Sequence, residues 1–159
     1  MRRTPKDLVF TERFDALAAL SYRVAYRILG DRHVAEEVAQ ETLVRAYCRW
    51  RKVSPYAEPW VARVAGNLAL DIVRRKPAPP LTERTEAPSD RTIVLRLELQ
   101  RALAELPVRQ REALVLRYLA DMPESEVGRV LGIRPGTVKQ HLHRGAETMR
   151  DLLVEPIGG

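Results

Sequence analysis

Cysteine occurs once in this chain of 159 residues, at Cys48, which rules out a disulfide framework. The thiol falls within an apolar-periodic segment, so the spacing predicts that it is buried. No apolar run approaches the roughly 18 residues that a membrane-spanning helix needs, and no basic leader with a small-residue cleavage site opens the chain. The expectation is a cytoplasmic protein without membrane insertion. Histidine is also scarce. Of His33, His141 and His143, the last two stand two apart on one helical segment and point to different faces, so they cannot pair on a metal. The Glu36-Glu37 pair has no His or Asp at ligand spacing, and there is neither a glycine-rich phosphate loop nor a Ser/His/Asp grouping. No metal, cofactor or catalytic residue is expected, and the chain does not read as an enzyme.

What is present is basic charge, proline and helical periodicity. Lys and Arg number 27 against 21 Asp and Glu, a net of +6. Residues 1–76 carry fifteen basic and nine acidic side chains, residues 93–159 ten and nine, so the excess lies in the front half. That asymmetry points to a polyanionic partner for the first part. Four of the 11 prolines, Pro77, Pro79, Pro80 and Pro88, cluster in KPAPPLTERTEAPSD, a linker composition. The organisation expected is all-α: a helical bundle over about 1–76, a flexible linker over 77–91, and a four-helix domain over about 92–159.

In the first domain, Phe14, Leu17, Leu20, Val24 and Ile28 mark a helix over Phe10 to Leu29, which Gly30-Asp31 closes while opening the next. From Val34 to Trp50, the residues Val34, Val38, Leu43, Ala46, Tyr47 and Trp50 predict a core stripe. Glu36, Glu37, Gln40 and Glu41 form an acidic-polar group on that helix's first turns, where the helix dipole alone would favour acids by roughly 0.3–1 kcal/mol each. Arg51 to Pro59, with Pro55 and Pro59, reads as a loop. Trp60 to Lys76 is again helical, with Val61, Val64, Ala65, Leu68, Ile72 and Val73 inward and Arg63, Asn67, Asp71, Arg74 and Arg75 on other faces. Arg49, Arg51 and Lys52 precede the loop, and Arg74, Arg75 and Lys76 end the helix. Cations thus bracket Tyr56 and Trp60, a mixture suited to unpaired bases stacking on rings.

The densest local signal lies near the C-terminus, where two amphipathic segments meet across Leu131-Gly132-Ile133 as in a helix-turn-helix. Val127, Val130 and Leu131 sit inward on the first, and Val138, Leu142, Met149 and Leu153 on the second. Lys139, Gln140, His143 and Arg144 project outward from the second, a face that can enter a major groove. Pro123 and Pro135 each fit a first helical position, and Gly132 fits a left-handed closing residue.

The string GDRHVAEEVAQETLVRAYCRW followed by WVARVAGNLALDIVRR resembles region 2 of the extracytoplasmic-function (ECF) sigma factors of bacterial RNA polymerase. The segment LQRALAELPVRQREALVLRYLADMPESEVGRVLGIRPGTVKQHLHRGAETMRDLL resembles their region 4, and the two stand in the family order over roughly residues 10–153. The resemblance implies a dissociable specificity subunit that binds core polymerase at its clamp and flap, reads −35 and −10 promoter elements, and is open to an anti-sigma antagonist. By position it implies clamp contacts for Glu36, Glu37, Gln40 and Glu41. It implies −10 contacts for Arg51, Lys52, Tyr56, Trp60, Arg63, Asn67, Arg74 and Arg75, with Arg51 to Pro59 receiving an extruded base. For the −35 element it implies Lys139, Gln140 and His143 at bases and Arg134, Thr137 and Arg144 mainly at phosphates. Two departures stand out: Arg134 replaces the small polar residue that often caps the recognition helix, and Glu58 lies where it would repel phosphate.

Two rival functions remain at this level. One is an autonomous helix-turn-helix regulator that binds duplex promoter DNA without polymerase. The other is an interaction protein that only sequesters core or an antagonist, with no promoter-directed transcription.

Overall fold

A computed structural model of the chain describes residues 2–75 and 88–154. Among these residues there are helices and turns and no strand, the all-α architecture expected. Helix α1 (Pro5–Leu29) begins five residues earlier than its apolar periodicity does, because Thr4 and Asp7 form a capping box ahead of Pro5. The Asp7 amide donates to Thr4 Oγ1 at 3.3 Å and the Thr4 amide to Asp7 Oδ2 at 2.8 Å, satisfying two otherwise orphaned donors. Gly30, at φ 67°, closes α1, and Asp31 caps α2 (Arg32–Cys48) by accepting from the Val34 amide. A turn of helix α3 (Trp50–Val53) and a tighter turn, Ser54–Tyr56, lead into α4 (Ala57–Arg75).

Arg51 to Pro59 is therefore helical rather than a loop. Its prolines are compatible with this: Pro55 is the second residue of the tight turn, and Pro59 lies in the first turn of α4, where an amide would have no intrahelical acceptor. The buried face of α2 holds the expected Val38, Leu43 and Ala46, with Trp50 buried just beyond, and is completed by Ala35, Ala39 and Thr42. Val34 and Tyr47 lie to the side. Cys48 stands two residues, about 200° of helix, beyond Ala46. It is exposed, contrary to the buried thiol expected. Phe14 is likewise exposed. It joins Phe10, Tyr47 and Trp50 in an edge-to-face aromatic cluster with centroids 5.1–5.9 Å apart.

The second domain comprises α5 (Pro88–Glu105), α6 (Val108–Leu114), a wide π-type turn (Val115–Leu119), α7 (Glu124–Leu131) and α8 (Pro135–Val154). Helix α5 starts inside the stretch read as linker, and linker residues 77–87 lie outside the described residues. The Ala120 amide reaches back to the Val115 carbonyl at 3.0 Å and that of Met122 to Leu116 at 3.0 Å, while Asp121 takes φ 54°. Gly132 closes α7 at φ 68° as expected, and Pro135 opens α8. Pro123 is the cap before α7 rather than its first residue. Val127, Val130, Leu131, Val138 and Leu142 are buried between α7, α8 and the rest of the domain, whereas Leu153 remains exposed.

Gly128 explains how closely α7 and α8 approach. A Cβ there would lie 2.7 Å from the Ile133 carbonyl oxygen and 3.5 Å from Val138 Cγ2. The two domains share one apolar core, because α4 packs on α5, α6, the π-type turn and α7 as well as on α1 and α2. A second small residue, Gly66 on α4, lets the two domains meet closely: a Cβ there would stand 2.6 Å from Val115 Cγ1.

Candidate nucleic-acid and partner interfaces

Glu36, Glu37, Gln40 and Glu41 are all exposed, on successive turns of α2. Because α2 begins at Arg32, none of them lies in its first turn, which holds no acidic residue. Helix-dipole stabilisation fades within that turn, so it does not account for the group. Glu41 pairs with Arg45 at 2.8 Å, and among the described residues the other two carboxylates have no cation within salt-bridge distance. The same face continues into Val44, Phe14 and Tyr47, all exposed, beside a shallow depression of about 460 Å³ lined also by Phe10, Gln40 and Leu43.

The residues assigned to the −10 surface fall into three settings. Arg51 and Lys52 are exposed and, with Lys6 and Arg49, line one basic depression in which Cys48 also sits. Lys6 comes from the start of α1, more than forty residues away in sequence, and nothing local signals its membership. Tyr56 is half-buried, and Trp60 is a core residue at 8% exposure, so its indole offers no open face to a base. Helix α4 begins three residues before Trp60, which turns that side chain onto the face packed against the bundle. Arg63, Asn67 and Arg74 line up along α4 and turn toward the second domain. Arg63 Nε lies 3.0 Å from Glu112 Oε2, and Asn67 Nδ2 donates to Glu112 Oε1 at 3.3 Å. Arg74 donates twice to the Ala104 carbonyl, at 2.8 and 3.1 Å. Arg75 is exposed.

Glu58, read as a phosphate-repelling group, is paired with Arg13 of α1. Burial would raise its pKa, yet the Arg13 guanidinium and a backbone amide outweigh that and hold the carboxyl below its ordinary range. Arg13 also donates to the Ser54 carbonyl at 2.7 Å and stacks over Trp50, so one arginine fixes the turn that carries Tyr56.

The helix-turn-helix presents its polar ridge to solvent. Arg134, Lys139, Gln140, His143 and Arg144 are exposed and Thr137 half-exposed. Arg134 caps α8 through its backbone, accepting the Val138 amide at 3.0 Å, and its side chain remains outside the helix. Lys139 is 71% exposed and only loosely held by Glu124 at 3.9 Å, and His143 is 77% exposed with Glu147 at 3.3 Å. Surface pairs of this kind contribute little and yield readily to a phosphate or base edge. No described cluster of His, Cys, Asp or Glu could hold a metal ion, and no described helix is long and apolar enough to cross a membrane.

Comparison with known proteins matches both halves. Residues 14–77 fit the family model "Sigma-70 region 2" and residues 96–149 the model "Sigma-70, region 4". The chain is 36% identical over 147 residues to the ECF RNA polymerase sigma factor SigE of Mycolicibacterium smegmatis, covering 84% of this chain and 57% of that protein. It is 31% identical over 153 residues to the ECF RNA polymerase sigma factor SigW of Bacillus subtilis, covering 83% and 82%. The chain thus spans little more than half of the first relative and most of the second. Among solved structures, CnrH in complex with the cytosolic domain of CnrY matches with a TM-score of 0.62 at 20% identity, over 91% of this chain and 86% of that one. The sigma factor RpoE of Bartonella quintana, in complex with the anti-sigma factor NepR, matches at 0.55 and 17%, over 93% and 99%. At these identities both structures speak for the fold alone.

Proposed function

The chain belongs to the ECF sigma factors of the sigma-70 family, and from that premise we propose that it binds core RNA polymerase and directs it to promoters carrying its own −35 and −10 elements. The exposed acidic-polar face of α2, with the apolar patch beside it, docks on the clamp. The second domain meets the flap and lays α8 in the major groove of the −35 element, with Lys139 and Gln140 hydrogen-bonding base edges and Arg134 and Arg144 seating on phosphates. In the first domain, Arg51, Lys52 and Tyr56 stand at the strand-separation site, supported from beneath by Trp60. Arg63, Asn67, Arg74 and Arg75 follow the −10 strand along α4.

The observation that carries this reading is the pairing, in one chain and in family order, of an undercompensated acidic face on α2 with an open basic ridge on α8. An autonomous regulator would need the second but has no use for the first. A protein antagonist covering these surfaces, of the kind bound to RpoE in its solved complex, is a further proposed partner.

The deciding experiment is co-purification with sigma-free core polymerase, followed by run-off transcription on pooled genomic promoters. Binding together with new, specific start sites is the expected result. Absence of core binding combined with tight duplex affinity would replace this reading with the autonomous regulator.

A further inference from the structure

A groove of about 630 Å³ runs between α5 and α8, away from the polar ridge of the helix-turn-helix. Ten of its fifteen lining residues are apolar, and Leu95, Leu99, Tyr118 and Leu153 stand exposed along it. A contiguous apolar surface of this kind gains from being covered. The charged groups at the groove all carry one sign: among the described residues Arg27, Arg96 and Arg150 line it and no carboxylate does. Arg27 of α1 is committed to the wall, donating to the Leu119 carbonyl at 2.7 Å and to Asp121 at 3.1 Å. Arg96 packs over Gly30, where a Cβ would have no room. Arg96 and Arg150 are exposed, and neither is within salt-bridge distance of a described carboxylate.

From this arrangement we propose that the α5–α8 groove binds a single-chain anionic amphiphile, its alkyl tail along Leu95, Leu99 and Met149 and its carboxylate on Arg96 and Arg150. The proposal uses none of the residues assigned to promoter or polymerase. Size decides for a small molecule. Helix α5 borders the groove from Thr92 to Leu103, about 16 Å of helix. A partner helix, roughly 10–12 Å across with its side chains, would fill about twice the groove's volume over that length, so only part of it could enter. The groove itself falls within the roughly 300–1,000 Å³ usual for small-molecule sites, which are likewise mostly apolar with a few polar groups that fix orientation. Met149, unbranched and flexible, lets the lining adapt to a tail. The guanidinium fork matches a carboxylate in shape and charge.

Three probes of one tail length separate head from tail: decanoate, decanol and decyltrimethylammonium, each titrated into the full chain by calorimetry below the concentration at which it aggregates. Two variants address the two parts of the site. Arg96→Glu with Arg150→Glu reverses the charge at the groove, and Leu99→Gln makes its apolar lining polar. All three positions are exposed, so the core is untouched. Circular dichroism establishes that each variant retains its helices.

The expected result is saturable binding of one decanoate per chain, severalfold tighter than decanol, because an exposed ion pair adds only modestly to the burial of the tail. Octanoate, shorter by two methylenes, should bind about tenfold or more weakly, since each buried methylene is worth about fourfold. The double charge reversal should invert the head-group order in favour of decyltrimethylammonium, and Leu99→Gln should weaken all three probes. Decanoate binding no tighter than decanol, or a head-group order unchanged by the charge reversal, would overturn the role of the arginines. Binding that both variants leave intact would place the amphiphile elsewhere on the protein, and no saturable binding would leave the groove to a polypeptide; either result ends the proposal.

Discussion

Asp7 shows how much one side chain can do at an exposed helix start. It accepts a hydrogen bond from the Tyr47 hydroxyl, the largest influence on its titration, and further bonds from Thr4, which together lower its pKa from 3.8 to about 2. A carboxyl depressed in the folded state contributes stability that is complete above its unfolded pKa and vanishes as pH falls through the folded one. The link between α1 and α2 should therefore weaken between about pH 4 and pH 2. Thermal melts across that window should fall more steeply for the native chain than for Asp7→Asn, and parallel curves would refute the role. On α8 the corresponding residues are Lys139 and Gln140. Each good base-edge contact discriminates by about 1–3 kcal/mol. Lys139→Ala with Gln140→Ala should therefore lower −35-dependent initiation at least about tenfold and spare binding to core, as run-off assays and co-purification would show. The sequence made these exposed polar residues legible because they interrupt a 3.6-residue apolar rhythm. It left Lys6 and Glu112 unnoticed, because their significance arises only from partners distant in the chain.

At the scale of elements, periodicity located α1, α2, α4 and the helix-turn-helix, and their ends followed from Gly30, Asp31 and Gly132. Two differences between sequence pattern and structure have clear causes. Pro55 and Pro59 look like helix breakers, yet each lies in the first turn of its segment, where proline is tolerated. On α2 the large apolar residues mark only part of the packed face, because Ala35 and Ala39 complete it and Cys48 falls outside. With α2 starting at Arg32, its acidic residues lie past the first turn, beyond the reach of the helix dipole. Glu37→Lys with Glu41→Lys should leave the helical content intact and lower core-polymerase binding severalfold or more; native affinity in that variant would remove the clamp assignment. Gly128 sets the opposite kind of constraint. Alanine would gain up to about 1 kcal/mol of helix propensity there, yet its Cβ would stand 2.7 Å from a backbone carbonyl that has little freedom to move. Overpacking of that sort costs about 1–3 kcal/mol, so the clash wins. Gly128→Ala should lower the denaturation midpoint of the second domain, whereas a rise would mean that the turn relaxes freely.

For the whole molecule, the sequence announced two helical domains but not how they meet. Their contact is built from Gly66 against Val115, from a buried carboxylate, and from arginines on carbonyls, none of which repeats with a period. A polar junction of this kind is compatible with domains that fold separately, whereas the continuous apolar core across α4 couples them. The two tryptophans discriminate between these cases, because Trp50 and Trp60 both lie in the first domain and the second has none. Leu116, fully buried in the second domain, should lose about 2–5 kcal/mol on replacement by alanine. If the shared core couples the domains, Leu116→Ala lowers the tryptophan-fluorescence transition together with the far-ultraviolet dichroism transition, although the mutated side chain lies in the other domain. A fluorescence midpoint that stays at the native value while the dichroism midpoint falls would mean that the domains unfold independently and that α4 contributes its packing to the first domain alone.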